Sequence, residues 1–202
     1  LAGDYILDND IDLTGVTWTP VGSSATPFTG TFDGQGFTLS NLTLTVSTAS
    51  DDISLFAVTQ CCTVQNINLD SFSINISVNS GKSHRIAPLI ANATTDVSHN
   101  GTVISDCHST NLLISLNSTP SAQLEFYNIA GLVGYSDFTS FTDCSSSGDI
   151  TVDLSVTTTS YFRYFDSSGG LVGYGGPSKF LRCSSSVNLD IQGDNYGTKV
   201  IY

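Results

Sequence analysis

Two segments of this chain repeat the same pattern 39 positions apart. Ile129–Tyr135 reads IAGLVGY and is followed by FTDCSSS at Phe141–Ser147. Gly169–Tyr174 reads GGLVGY and is followed by FLRCSSS at Phe180–Ser186. A fixed period of this length is typical of proteins built from stacked structural repeats. The repeat therefore constrains the fold more than any other feature of the sequence.

Weaker copies of the pattern precede the clear pair. They are Arg85–Ile90 before Ile104–Cys107, Ile53–Val58 before Val64–Ile67, and Trp18–Gly22 before Leu39–Leu42. A third strand with alternating apolar residues follows each copy, as in Leu42–Val46, Phe72–Ile76, Leu112–Leu116, Ile150–Leu154 and Val187–Ile191. Period-two alternation buries one face of a strand and exposes the other. Each repeat thus contributes three short strands.

The predicted fold is all-β. Three strands per repeat without an intervening helix favour a right-handed parallel β-helix of about five coils, with outward loops, and a β-sandwich is the alternative. We interpret residues 1–202 as a single β-helix domain or segment, with an entry coil at 1–46 and repeat coils at 47–202. We expect this segment to be part of a longer chain or assembly.

Stacked coils align equivalent residues in columns about 4.8 Å apart. The pattern predicts one inward column at Leu39, Val64, Ile104, Phe141 and Phe180, and a second at Leu42, Ile67, Cys107, Cys144 and Cys183. Between them it predicts a polar column at Asn41, Asn66, Asp106, Asp143 and Arg182.

Composition agrees with strands and excludes some partners. The chain has 30 Ser and 24 Thr, and only 12% of its residues are charged. Glu occurs once and Met is absent, whereas helices favour both residues. Six basic residues and a net charge of −12 make nucleic-acid binding improbable, because no basic stripe can neutralise phosphates. No apolar run reaches the roughly 20 residues of a membrane helix, so we expect no membrane insertion.

The first 39 residues add a second signature. YILDNDIDL at Tyr5–Leu13 is followed by WTPVG at Trp18–Gly22 and by PFTGTFDGQGFTL at Pro27–Leu39. This region and the two GLVGY segments resemble GLUG-repeat proteins, and GTFDGQG at Gly30–Gly36 is the most specific part. The resemblance implies a parallel β-helix in secreted or surface-anchored proteins, such as adhesins and the stalks of IgA proteases. In those proteins the repeat region is a stalk, and any catalytic machinery lies elsewhere.

Five Asn-x-Ser/Thr sequons are candidate glycosylation sites: Asn41, Asn75, Asn92, Asn100 and Asn117. In a chain this rich in Ser and Thr, roughly three or four would occur by chance, so the sequons permit an extracellular glycoprotein without proving one. Together with the low charge, they favour an extracellular or cell-surface location.

The five cysteines have no zinc-binding spacing. Cys107, Cys144 and Cys183 form the predicted ladder, and Cys61 and Cys62 are adjacent in sequence at a turn. One interpretation is a reduced, buried ladder of small apolar side chains. The alternative is a disulfide between two neighbours, which an oxidising compartment would favour.

Two other clusters could bind a ligand. Asp8, Asp10 and Asp12 alternate along one predicted strand, where they could bind Ca²⁺ or form a solvated outer face. The segment YFRYF is the most conspicuous candidate for an exposed aromatic binding loop, with residues Tyr161, Phe162, Arg163, Tyr164 and Phe165. We predict no other cofactor.

The sequence indicates a non-catalytic extracellular structural protein, as a stalk, an adhesin segment or a filament subunit. Its expected partners are copies of itself or neighbouring coils, stacked end to end, and glycans are a further candidate. The alternatives are a carbohydrate-binding adhesin that uses the aromatic loop and, less favoured, a polysaccharide-active β-helix enzyme. Hydrolysis of a glycoside needs two convergent carboxylates, and no such pair stands out in the sequence.

Overall fold

A computed structural model of the chain describes residues 1–46, 52–77, 85–117, 124–154, 163–193 and 198–200. Within these ranges the chain forms strands and turns and no helix. The all-β prediction is therefore confirmed. The strands are β1 (Tyr5–Ile6), β2 (Ile11–Asp12), β3 (Thr31–Asp33), β4 (Thr38–Ser40), β5 (Thr43–Val46), β6 (Asp52–Ile53), β7 (Phe56–Gln60), β8 (Thr63–Asp70), β9 (Ser73–Ile76), β10 (Arg85–Ile86), β11 (Ile90–Thr94), β12 (Val103–Asn117), β13 (Leu124–Ala130), β14 (Val133–Ser136), β15 (Ser140–Thr142), β16 (Ser145–Leu154), β17 (Arg163–Gly169), β18 (Val172–Gly175), β19 (Lys179–Leu181), β20 (Ser184–Gly193) and β21 (Thr198–Val200).

These strands form three parallel sheets. Sheet A has twelve strands and contains the order β1-β3-β8-β12-β15-β19, sheet B has the order β7-β11-β14-β18, and sheet C has the order β6-β10-β13-β17-β21. Every strand pairing among the described residues is parallel. We call a stretch of chain that adds strands to all three sheets a layer. Residues 52–76, 85–117, 124–154 and 163–193 are four successive complete layers. Residues 21–46 precede them as an incomplete first layer, which adds β3, β4 and β5 to sheet A and single bridges to β7 of sheet B.

Equivalent residues of successive layers lie side by side. Phe32 pairs with Val64, which pairs with Ile104, and this column continues through Phe141 to Phe180. In the third strand of each layer the aligned residues are Leu44, Ile74, Ile114, Ile150 and Leu189. Since side chains alternate across a strand, these columns fill the interior between the sheets. Ile74, Ile114 and Ile150 are completely buried.

The predicted alignment of the first repeat is wrong by one turn of the chain. Leu39 pairs with Leu69 rather than Val64, and Phe32 occupies the position assigned to Leu39. Asn41 and Leu42 accordingly do not align with Asn66 and Ile67. The backbone N–H of Asn41 donates to the carbonyl of Asp70 at 3.0 Å, which aligns Asn41 with Ser71 at the following turn.

Both turns use the same unusual backbone conformation, which explains the misalignment. Asn66, Asp106, Asp143 and Arg182 have φ between 49° and 54°, and Asn41, Ser71 and Asn111 at the following turn have φ between 52° and 60°. Asn and Asp tolerate this left-handed region better than other residues with a side chain. An Asn two positions after an apolar residue can therefore mark either turn. The local sequence alone does not show which of the two turns it marks.

The stack of layers exposes apolar residues at both ends. At the N-terminal end a cavity of about 490 Å³ opens among apolar side chains, which are those of Leu1, Tyr5, Ile6, Leu7, Ile11, Leu13, Trp18, Val21, Phe28, Phe32, Leu39, Leu55 and Phe56. At the other end Phe180 and Tyr174 are 51% and 45% exposed, although they continue buried or half-buried columns. Both ends of the described stack thus present apolar side chains to solvent.

Candidate functional site

The predicted sequons differ in accessibility. Asn41, Asn100 and Asn117 are exposed and Asn75 is partly buried. Asn92 lies in β11, is 6% exposed, and its Oδ1 has no hydrogen-bond partner among the described residues. An oligosaccharyl group could not be attached to Asn92 in this conformation. The other four sequons stay candidate glycosylation sites.

The cysteine ladder is present as a column. Cys107 pairs with Ile67 on one side, and the register of its neighbours places Cys144 and then Cys183 on the other side. All five cysteines are free thiols in this structure, and Cys107 and Cys144 are buried. Burial raises the pKa of the Cys107 thiol well above its ordinary value. These surroundings suit small apolar side chains, while the redox state of the ladder stays a prediction.

The aromatic segment is not a simple loop. Arg163, Tyr164 and Phe165 begin strand β17, where they pair with Leu124, Glu125 and Phe126 of β13. Tyr161 and Phe162 lie outside the described residues. Arg163, Tyr164 and Phe165 are therefore part of a strand rather than a loop, because backbone pairing with β13 extends further than the apolar pattern indicated. A binding role for this segment stays a prediction.

The N-terminal aspartates do not lie along one strand. Asp12 belongs to β2, whereas Asp8 and Asp10 lie between β1 and β2. Asp10 Oδ1 accepts the backbone N–H of Thr38 at 2.8 Å, and Asp12 Oδ1 accepts hydrogen bonds from Thr14 and Asn41. These carboxylates fasten the first turns to the next layer. Within the described ranges, no three histidine, cysteine or acidic side chains converge closely enough to hold a metal ion.

The most developed polar site lies along the corner between the first and second strands of the sheet A layers. A groove of about 490 Å³ opens there, and we call it the corner groove. It is lined by Asp33, Gln35, Gly36, Asn66, Asn68, Asp106 and His108. These residues come from three successive layers, so the groove runs along the stacking direction.

Asp33 organises the first half of the corner groove. Its Oδ1 accepts hydrogen bonds from the Gln35 backbone N–H at 2.8 Å and from Asn66 Nδ2 at 3.0 Å. Its Oδ2 accepts a hydrogen bond from Gln65 Nε2 at 2.7 Å. These donors, with Asn66 the strongest, hold the pKa of Asp33 below its usual value, because they stabilise the ionised carboxylate. Two layers are thereby joined through one side chain.

The second half of the corner groove contains Asn68, Asp106 and His108. Asn68 Nδ2 donates to the Gly36 carbonyl at 2.8 Å, and His108 Nδ1 lies 2.8 Å from Ser145 Oγ. Asp106 has left-handed backbone geometry. Its side chain makes no hydrogen bond to a described residue. Asn68 and His108 are thus held in fixed orientations, and the carboxylate of Asp106 is left to solvent.

An ion pair follows the corner groove in the same column. Arg182 Nε donates to Asp143 Oδ1 at 2.5 Å, and the arginine side chain is 60% exposed. The guanidinium lowers the pKa of Asp143, mainly through this hydrogen bond. Arg182 is basic, unlike the amide and carboxylate members of the predicted polar column. The structure keeps it in register, because Arg182 has the same left-handed φ as Asp143.

The sequence predicts several residues of the corner groove, but it does not predict that they lie together. The Asn/Asp column predicted Asn66, Asp106 and Asp143 at one edge, and GTFDGQG contains Asp33 and Gln35. His108 matched no catalytic or metal-binding pattern. The predicted alignment of the first repeat does not bring Asp33 next to Asn66, whereas the pairing of β3 with β8 and the hydrogen bond from Asn66 Nδ2 to Asp33 do.

A comparison with protein-family models matches residues 127–151 to the GLUG motif. The chain carries a GLUG motif. The matched residues extend from β13 to β16 and include the first GLVGY segment, so the resemblance predicted from the sequence is confirmed there. GLUG is a repeat motif and not a catalytic one. Leu132 of the motif is completely buried in the core of this layer, and Gly131 lies at the turn between β13 and β14.

No curated protein sequence matches the chain. Among solved structures, a crystal structure from Bacteroides ovatus described as a "putative immunoglobulin A1 protease" is 14% identical, with a TM-score of 0.41. The similarity covers 98% of this chain and 75% of that chain. Such a loose overlap does not transfer an activity. The described residues include no helix that is long and apolar enough to cross a membrane.

Proposed function

We propose that this chain is a non-catalytic, extracellular structural segment, a stalk or filament unit built as a right-handed parallel β-helix. The observation that carries this proposal is the continuous register of parallel strands through successive layers, with apolar columns inside. Right-handedness is supported by the strong preference for right-handed connections between parallel strands of one sheet. About five coils account for the described layers.

A structural role is supported by how the conspicuous sequence features are used. Residues of the GLUG motif form part of a turn and part of the apolar core. The side chains of the buried cysteines form one inward column of that core. The polar side chains of the first turns bind neighbouring backbone groups. An extracellular location is supported by the low charge, the many hydroxyl side chains and sequons on exposed turns such as Asn41 and Asn100.

The apolar ends support stacking of further layers on this segment. The N-terminal end has a cavity lined by side chains such as Leu7 and Phe28, and the C-terminal end exposes Phe180. Within the described residues, β1 and β2 at the N-terminal end and β18, β19 and β20 at the C-terminal end have no outer partner strand, and their backbone groups can pair with another layer. The stacked layer comes from copies of this chain or from neighbouring coils of the same protein.

Electron microscopy and sedimentation of the purified chain test end-to-end stacking. We expect rods that lengthen with protein concentration, in increments of about 25 Å for five layers at about 4.8 Å each. Phe180→Asp should shorten the rods, because it places a charge on the C-terminal apolar face. Val103→Asp, on the exposed face of β12 in the middle of the stack, is the matched control. Discrete monomers at high concentration would contradict the filament version.

The location is tested separately with antibodies against this chain on intact cells of the source organism. Labelling of unpermeabilised cells, or recovery of the protein from the medium, is expected. Labelling that requires permeabilisation would overturn the extracellular proposal. The same cells provide the internal control when a cytoplasmic marker stays unlabelled.

A further inference from the structure

We propose that the corner groove binds a neutral, extended glycan. This goes beyond the structural role, which does not require a ligand. The groove has about 490 Å³ of space and is lined by amide, carboxylate and imidazole side chains of three layers. Such planar polar groups offer both donors and acceptors, as the hydroxyl groups of a sugar require.

The hydrogen-bonding groups of the corner groove are fixed before a ligand arrives. Asp33 holds the Asn66 amide, the Gly36 carbonyl holds the Asn68 amide, and Ser145 holds the His108 ring. Each of these side chains still has a polar atom that makes no hydrogen bond to a described residue, such as His108 Nε2. Fixed groups lose little conformational freedom on binding, so their hydrogen bonds contribute more to affinity.

The direction of the corner groove favours a linear ligand. Asn68 and His108 are paired residues of adjacent layers, and Ser145 is the next member of that column. Equivalent polar atoms therefore recur about every 4.8 Å along the groove. This spacing is close to the length of one hexose in an extended chain. Successive sugars would meet similar groups in successive layers.

The charge of the corner groove argues against an anionic ligand and against a bare cation. Asp33 and Asp106 line the groove, and the nearest arginine of the same column, Arg182, is paired with Asp143. An acidic polysaccharide would be repelled by these carboxylates. Calcium requires six to eight oxygen ligands, whereas three protein donors already occupy Asp33.

Calorimetric titration with cellohexaose, mannohexaose and xylohexaose tests the proposal, with a hexamer of galacturonate and Ca²⁺ alone as comparison probes. We expect binding of at least one neutral hexasaccharide. His108→Ala and Asn68→Ala should each weaken it by about tenfold, which corresponds to about 1.4 kcal/mol. Asn188→Ala, on the exposed strand β20, should bind like the original chain.

Circular dichroism and thermal unfolding identify variants that fail to fold, and Asp106→Asn provides a second, conservative variant. No binding of any neutral hexasaccharide would overturn the proposal. Binding that all groove variants retain, or tighter binding of the galacturonate hexamer or of Ca²⁺, would also overturn it. End-to-end stacking uses different surfaces, so either result leaves the structural proposal unaffected.

Discussion

The ring of Phe141 stacks on the ring of Phe180 in the next layer, with centroids 4.8 Å apart and planes inclined by 3°. Phe141 is 1% exposed and Phe180 is 51% exposed. The two residues hold equivalent positions in the same column. The apolar interior is therefore closed around Phe141 and half open to solvent at Phe180.

Truncating these two rings should have unequal effects. Phe141→Ala should lower the free energy of unfolding by about 3–5 kcal/mol, because it removes a buried ring and leaves a cavity. Phe180→Ala should cost about 1 kcal/mol, since half of its surface is already hydrated. Urea unfolding followed by circular dichroism measures both. Equal losses of unfolding free energy would mean that another protein surface covers Phe180 in solution.

Two glycines of β18 provide a matched test of close strand packing. A Cβ at Gly173 would lie 2.6 Å from the Gly134 carbonyl oxygen, whereas a Cβ at Gly175 would meet its nearest atom at 3.7 Å. Gly173→Ala should therefore lower stability by about 1–3 kcal/mol through overpacking. Gly175→Ala should be nearly neutral. A thermal midpoint of Gly173→Ala equal to that of Gly175→Ala would contradict the close approach of β14 and β18.

Stability should fall in acid because native hydrogen bonds depress the pKa of Asp33. The unfolded chain binds more protons than the native one at low pH, so this contribution is complete above the unfolded value of about 3.9. It is lost as the pH falls from there through the lower native value. Urea midpoints between pH 7 and pH 2 should be flat at first and then decline below about pH 4.

Asp33→Asn should lower the urea midpoint near neutral pH and reduce part of the decline in acid. Asp106→Asn is the matched control, since Asp106 lines the same groove without a hydrogen bond to a described residue. An unchanged acid profile in Asp33→Asn would show that Asp33 contributes little to joining the first two layers.

The cysteines should react with iodoacetamide in two groups. Cys61 and Cys183 are partly exposed, whereas Cys62, Cys107 and Cys144 are buried. Access of the reagent separates the two groups, because burial raises the pKa of Cys61 as well as those of Cys62 and Cys107. Mass spectrometry at pH 8 should therefore show early labelling of Cys61 and Cys183. Equally fast labelling of Cys107 would contradict the buried ladder, and a mass change on reduction would reveal a disulfide.

The sequence predicted the layers well where the repeats are regular. The pairing of Phe141 with Phe180 follows from the 39-residue period, because core positions must recur at equal spacing in stacked strands. The first layer was predicted less well. Phe32 lies 32 positions before its partner Val64, and two turns with the same left-handed backbone offered competing alignments.

The corner groove could not be predicted for a related reason. Its members Asp33, Asn66 and His108 are far apart in sequence and meet only through the register of three layers. No local motif encodes that register at the first layer. The hydrogen bonds of Asp33 depend on side-chain orientation, which composition and periodicity do not specify.

The left-handed corner accepts Asn66, Asp106, Asp143 and Arg182 with nearly the same φ. An amide, two carboxylates and a guanidinium therefore fulfil one backbone requirement while presenting three different chemistries. Substitution at such a position exchanges the ligand chemistry of the surface without repacking the interior. Repeats of this kind can therefore differ in what they recognise through their outward corners alone, while the same apolar columns fill the interior.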